Sequence, residues 1–126
     1  MSKGKEQKPV ILQVLPELDH GGVEVGTVQI ADALRQHGIK NFVASAGGRM
    51  VHDLEKIKVP HITLPLKTKN PIKLYLNSLK LEKIIKENGI NIVHARSRAP
   101  AWSAYWAAKK AGVHYMTTFH GTYGLG

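Results

Sequence analysis

The chain has 126 residues, no cysteine and a net charge of +9. This length suits one domain with a real core, and an apolar fraction of 43% with 21% charged residues excludes a disordered chain. The lack of cysteine excludes a disulfide scaffold and a thiolate metal site, and no apolar run approaches the roughly 20 residues that cross a bilayer.

Residues 1–8 (MSKGKEQK) are expected to form a disordered basic tail. The short apolar run after them ends at Pro16 without a small-residue cleavage site, so it does not read as a signal peptide. Residues 9–126 read as one unit. Val10 to Leu15 (VILQVL) is an apolar, β-branched run between prolines, the pattern of a buried strand. From Val23 to His37, the positions Val23, Thr27, Ile30, Ala31 and Leu34 recur at helical spacing, and Gly38 is a stop. Asn41 to Ala46 is a second strand. Gly47-Gly48 turns into a short helix over Met50 to Ile57, and Pro60 to Leu64 is a third strand.

Asn70-Pro71 opens the next helix with proline at the favoured first position, and Asn88-Gly89 closes it. Ile90 to His94 is a fourth strand, Pro100 to Ala111-Gly112 a fourth helix, and Val113 to Phe119 a fifth strand. Short apolar strands alternating with helices predict an α/β fold: a doubly wound, Rossmann-like parallel sheet of order 3-2-1-4-5 with helices on both faces.

In such a sheet, ligands bind beyond the carboxyl ends of the strands at the switch in strand order, here between the first and fourth. Three loops meet there. The first, PELDHGGVE, puts Gly21 and Gly22 at a helix start, where backbone N–H groups and the helix dipole suit an anion, with Glu24 in the first turn. It is neither a GxGxxG fingerprint nor a Walker loop. The second, HARSRAP, places Arg96 and Arg98 around Ser97, two guanidiniums suited to forked contacts with phosphate or carboxylate. The third, FHGTYGLG, sets His120 directly after a strand, with Gly121 and Thr122 following; a histidine there can act as a base or bind a sugar hydroxyl. The other histidines show no metal-ligand spacing, and no GxSxG is present.

The charge is uneven. Between Lys56 and Lys110 there are twelve basic residues against two acids, Glu82 and Glu87. Such a field attracts anions: nucleic acid, acidic lipid or phosphorylated substrate. No nucleic-acid recognition motif is present, so that partner is not expected. Within the 70–89 helix, Leu74, Leu81, Ile84 and Ile85 form an inward stripe, while Ile72, Tyr75, Leu76 and Leu79 form a second strip among lysines. The second strip can meet an anionic membrane surface or a neighbouring protein segment.

GGVE, HARSRAPAW and TTFHGTYG, in this order and each after the matching strand, resemble the retaining glycosyltransferases of GT-B fold called family 4 or glycosyltransferase group 1. Bacterial members tied to lipopolysaccharide and envelope glycans are the most similar, and the resemblance covers residues 9 to 126. It implies a partial N-terminal, acceptor-side domain of a hexosyltransferase-type enzyme, without the C-terminal donor-binding domain. It implies His120 near the transferred sugar in a catalytic role. Gly21, Gly22 and Glu24 match the loop that approaches donor phosphates or the acceptor, and Arg96, Ser97 and Arg98 fall in the loop lining the acceptor side. Gly121 and Thr122 belong to the histidine motif.

The nucleotide sugar is a substrate, and no metal or other cofactor is implied. The acceptor would be lipid-linked or of lipopolysaccharide type, and the location cytoplasmic, with peripheral contact to the inner membrane. Because one part-domain cannot hold donor, leaving group and acceptor together, the chain alone is expected to be inactive and to need a second chain or further sequence. A noncatalytic module that grips a phosphate or a glycan-lipid is the other reading open at this point.

Overall fold

In chain order the elements are β1 (Val10–Val14), α1 (Gly22–Gln36), β2 (Lys40–Ser45), α2 (Val51–Lys56), β3 (His61–Thr63), α3 (Pro71–Asn88), β4 (Ile92–Ala95), α4 (Arg98–Ala111) and β5 (His114–Thr117). The computed structural model describes residues 8–19 and 21–118. The five strands pair in parallel in the order β3-β2-β1-β4-β5, as the alternation predicts. The turning point lies between β1 and β4, where Gln13 stands opposite His94 and Val14 opposite Ala95.

Strand alternation sends successive side chains to opposite faces. Leu12, Val14, Val93 and Ala95 join Leu81, Ile85, Ala104, Ala107 and Ala108 in one core under α3 and α4. Val43 and Leu15 join Leu18, Ala31 and Leu54 in a second under α1 and α2. Each fully buried leucine or valine contributes about 1.5–3 kcal/mol by leaving water. The alanines of α4 let that helix lie close to the sheet and to α3, to which Ser103 Oγ donates at Leu74 O over 2.7 Å.

The helix ends follow their local chemistry. Asn70 Oδ1 accepts from the N–H groups of Ile72 (2.9 Å) and Lys73 (3.2 Å), capping α3 behind Pro71. Gly89 and Gly112 close α3 and α4 in the left-handed region, with φ of 66° and 74°. The fourth helix differs from expectation: it starts at Arg98, not Pro100. Ser97 takes the extended cap position, and Pro100 falls within the first turn, where N–H groups have no intrahelical acceptor and proline loses nothing. The strand before it runs Ile92–Ala95 rather than from Ile90, because Ile90 still closes the α3 turn by donating to Ile85 O.

Candidate functional site

The crevice is built at the carboxyl ends of β1, β4 and β5. The β1–α1 loop is held by the loop after β2. Leu18 donates to Gly47 O (2.9 Å), Met50 donates to Leu18 O (2.7 Å) and Ala46 donates to Pro16 O (2.8 Å). Gly48, at φ 151°, brings its backbone so close to Leu18 that an added Cβ would stand 2.3 Å from Leu18 O. No side chain fits there without moving the loop. The exposed pairs Glu17–Lys67 (2.9 Å) and Asp19–Arg49 (3.4 Å) add little, since water screens them.

Helix α1 begins at Gly22 with no side-chain hydrogen bond to its cap. Its first N–H groups therefore face outward without the local acceptor that Asn70 gives α3. Nothing lies within 4 Å of the position a Cβ on Gly22 would take, so the backbone there is open to approach. The Glu24 carboxylate folds back over the turn; a Cβ on Gly21 would stand 2.9 Å from its Oε1. Glu24 and Ser97 share the walls of a cleft of about 190 Å³ with Leu15, Pro16, Glu17 and Val23.

The two arginines do not converge as the HARSRAP reading expects. Arg96 continues the β4 alternation from His94 onto the α1 face, and its backbone donates to Val14 O. Arg98 sits one helical step further, in the first turn of α4, and lines a different hollow with Thr68, Lys69, Pro71, Leu74 and Trp102. The early start of α4 separates them.

Arg96 is 4% exposed, and its Nε and Nη1 have no hydrogen-bond partner among the described residues. Burial pushes the guanidinium below its ordinary range, yet an arginine stays charged in a protein. Its Nη2 would lie 3.2 Å from a Cβ on Gly26. Gly26 thus makes room for Arg96 beside the first turns of α1, at the cost of about 1 kcal/mol in helix propensity. Sequence reasoning did not assign Gly26 this role; a lone glycine inside a helical pattern was the available signal. Next to Arg96 the wall is closed by His94, whose Nε2 lies 2.7 Å from Thr118 Oγ1, tying β4 to the end of β5.

Of the sequence-predicted site residues, Glu24 and Ser97 share one cleft with Gly21 under the Glu24 carboxylate, Gly22 is exposed, Arg96 stands beside Gly26, and Arg98 lines the separate hollow. His120, Gly121 and Thr122 lie outside the described residues. Among the described residues no three histidines or acids stand together as a metal site would require.

The sequence profile of Glycosyltransferase Family 4 matches residues 20–125, which contain GGVE, HARSRAPAW and TTFHGTYG. The chain belongs to Glycosyltransferase Family 4. Over 95% of its length it is similar to a glycosyltransferase from Rickettsia africae ESF-5, with 42% identity and a TM-score of 0.84, and it covers 32% of that chain. MurG from Acinetobacter baumannii shares the fold at 14% identity and a TM-score of 0.71, with 88% of this chain and 35% of that one covered. The C-terminal domain of PF1911 hydrogenase from Pyrococcus furiosus shares it too, at 17% identity and a TM-score of 0.66, with 89% and 92% covered. A fold common to these does not by itself fix a function. No curated protein matches the chain in sequence. The chain spans about a third of the length of the Rickettsia glycosyltransferase and of MurG. Its architecture is that of the N-terminal, Rossmann-like part of a GT-B glycosyltransferase.

Proposed function

We propose that this chain forms the acceptor-side part of an enzyme that moves a sugar from a nucleotide sugar to a lipid-linked or lipopolysaccharide-type acceptor. In this reading the crevice holds an anionic group, a phosphate of donor or acceptor. The observation that carries it is Arg96: a buried cation beside Gly26 of α1, whose Nε and Nη1 have no hydrogen-bond partner among the described residues. Leaving such a charge unpaired costs several kcal/mol, which a bound anion offsets. Forked guanidinium contacts and the first N–H groups of α1 would hold the same phosphate from two sides.

Gly21 and Gly22 give that phosphate access, Glu24 holds the turn, and Ser97 lies at the mouth. His120 is the group proposed to stand near the transferred sugar, with Gly121 and Thr122 beside it. The reading uses no metal. By itself the chain is proposed to bind without turning over, because transfer also needs groups that fix the donor and stabilise its leaving diphosphate.

A chimera tests this, with residues 9–126 replacing the matching third of the Rickettsia africae glycosyltransferase. We expect it to release or transfer sugar from a nucleotide sugar, and Arg96→Met to lower kcat/KM by about 100-fold. An active chimera indifferent to Arg96→Met would sink the assignment; an inert one that still binds phosphate through Arg96 would favour the noncatalytic module.

A lipid-linked acceptor places the enzyme at a membrane surface, and α3 fits that location. Ile72, Tyr75, Leu76 and Leu79 are all exposed on it, among Lys73, Lys80, Lys83 and Lys86. No described helix is long and apolar enough to cross a membrane, so contact would be peripheral. Binding to anionic vesicles should fall as salt rises; binding insensitive to salt would contradict it.

A further inference from the structure

The outer seam between α3 and α4 carries a feature that neither helix shows alone. On α4, Arg98, Trp102, Trp106 and Lys110 recur every four residues and so form one stripe. Trp102 is 47% and Trp106 37% exposed, large for tryptophans on the body of a domain. Across from them α3 presents Leu74, Tyr75 and Ser78. Two hollows of about 490 Å³ and 210 Å³ lie between the helices, and Trp102 borders both. Together they form a broken furrow along the Arg98–Lys110 span of α4, about 18 Å at 1.5 Å per residue.

The furrow is apolar along its length and cationic at its ends. Lys69 and Arg98 stand at the end nearer the carboxyl edge of the sheet, where the crevice also lies. Lys110 stands at the other, and Lys109 lies 5.4 Å over the Trp106 ring. Among the described residues, no acid lines either hollow. An aromatic trough closed by cations matches an anionic amphiphile: hydrocarbon against Trp102, Trp106 and Tyr75, and a phosphate at Arg98 and Lys69.

We propose that the α3–α4 seam seats the hydrocarbon chain of an anionic lipid, with its phosphate at the Arg98 end. This rests on the lipid-linked acceptor proposed above and narrows it: the acceptor is held as a single molecule by its chain, and the bilayer surface is not the only contact.

The seam holds both tryptophans of the chain, so intrinsic emission reports on it directly. The 126-residue chain is titrated with dodecyl phosphate below its aggregation concentration. A saturable blue shift is expected, absent with ethyl phosphate and weakened about tenfold by Arg98→Gln. Trp106→Ala should weaken binding as read from the remaining Trp102, with far-UV circular dichroism unchanged. Binding to anionic vesicles without any response to the monomeric amphiphile would overturn the proposal, leaving a flat surface contact. So would a blue shift that follows protein concentration alone, which marks a second copy in the seam. A saturable shift in a chain that fails to bind pyrophosphate at Arg96 would support the seam while removing the crevice reading, so the two fail separately.

Discussion

In the proposed function Arg96 acts through its placement more than through its type. A guanidinium on a solvated loop is neutralised by water; one that is 4% exposed against α1 needs another partner. Two glycines decide whether an anion can reach it. Gly22→Ala meets open space, so stability should hold or rise by up to about 1 kcal/mol while pyrophosphate affinity falls, because the methyl group stands over the helix start. Gly26→Ala instead presses on Arg96 Nη2 and should weaken binding by shifting the guanidinium. Titration calorimetry reads both; full affinity in Gly22→Ala would exclude the helix start from the site. At this scale the sequence announced the residue types but not their directions. Arg96 and Arg98 look equivalent in HARSRAP, and only the start of α4 at Arg98 sends one to α1 and the other to α3.

At the level of elements, much was readable because local chemistry decides it. Pro71 behind Asn70, and the glycines at 89 and 112, fixed α3 and the end of α4 as expected. The start of the fourth strand was placed two residues early although its cause is local: the Ile90 N–H still turns back to Ile85 O in the glycine-closed end of α3. The clasp between β2 and β3 was also hidden, since it joins residues sixteen apart. Ser45 Oγ lies 2.6 Å from His61 Nε2 and accepts from the Gly47 N–H, steadying the loop that holds the crevice. Half-burial of His61 pushes its pKa below the ordinary 6.5, against a smaller opposite pull from Glu55. Folding thus favours the neutral ring. The unfolded chain binds more protons just below pH 6.5, so stability is full above that value and declines as pH falls toward the lowered folded pKa. Urea midpoints between pH 7.5 and 5 should fall further in the wild type than in His61→Gln; equal declines would remove His61 from the account.

For the whole molecule, alternating elements were enough to predict the strand order, because right-handed crossovers leave few alternatives. The placement of Arg96 beside Gly26, and the furrow shared by α3 and α4, come from packing between distant segments and have no sequence pattern of their own. The Arg96 crevice and the Arg98 end of the furrow lie toward the carboxyl edge of the sheet. Thermal unfolding with and without pyrophosphate tests most directly whether Arg96 makes the crevice an anion site. Without ligand, Arg96→Met should be more stable than the wild type by about 1 kcal/mol or more, since it removes an unpaired buried charge. With pyrophosphate at a hundredfold excess over its Kd, the wild type should gain about 2.7 kcal/mol and the variant nothing. An equal gain in both proteins, at matched ionic strength, would contradict the account.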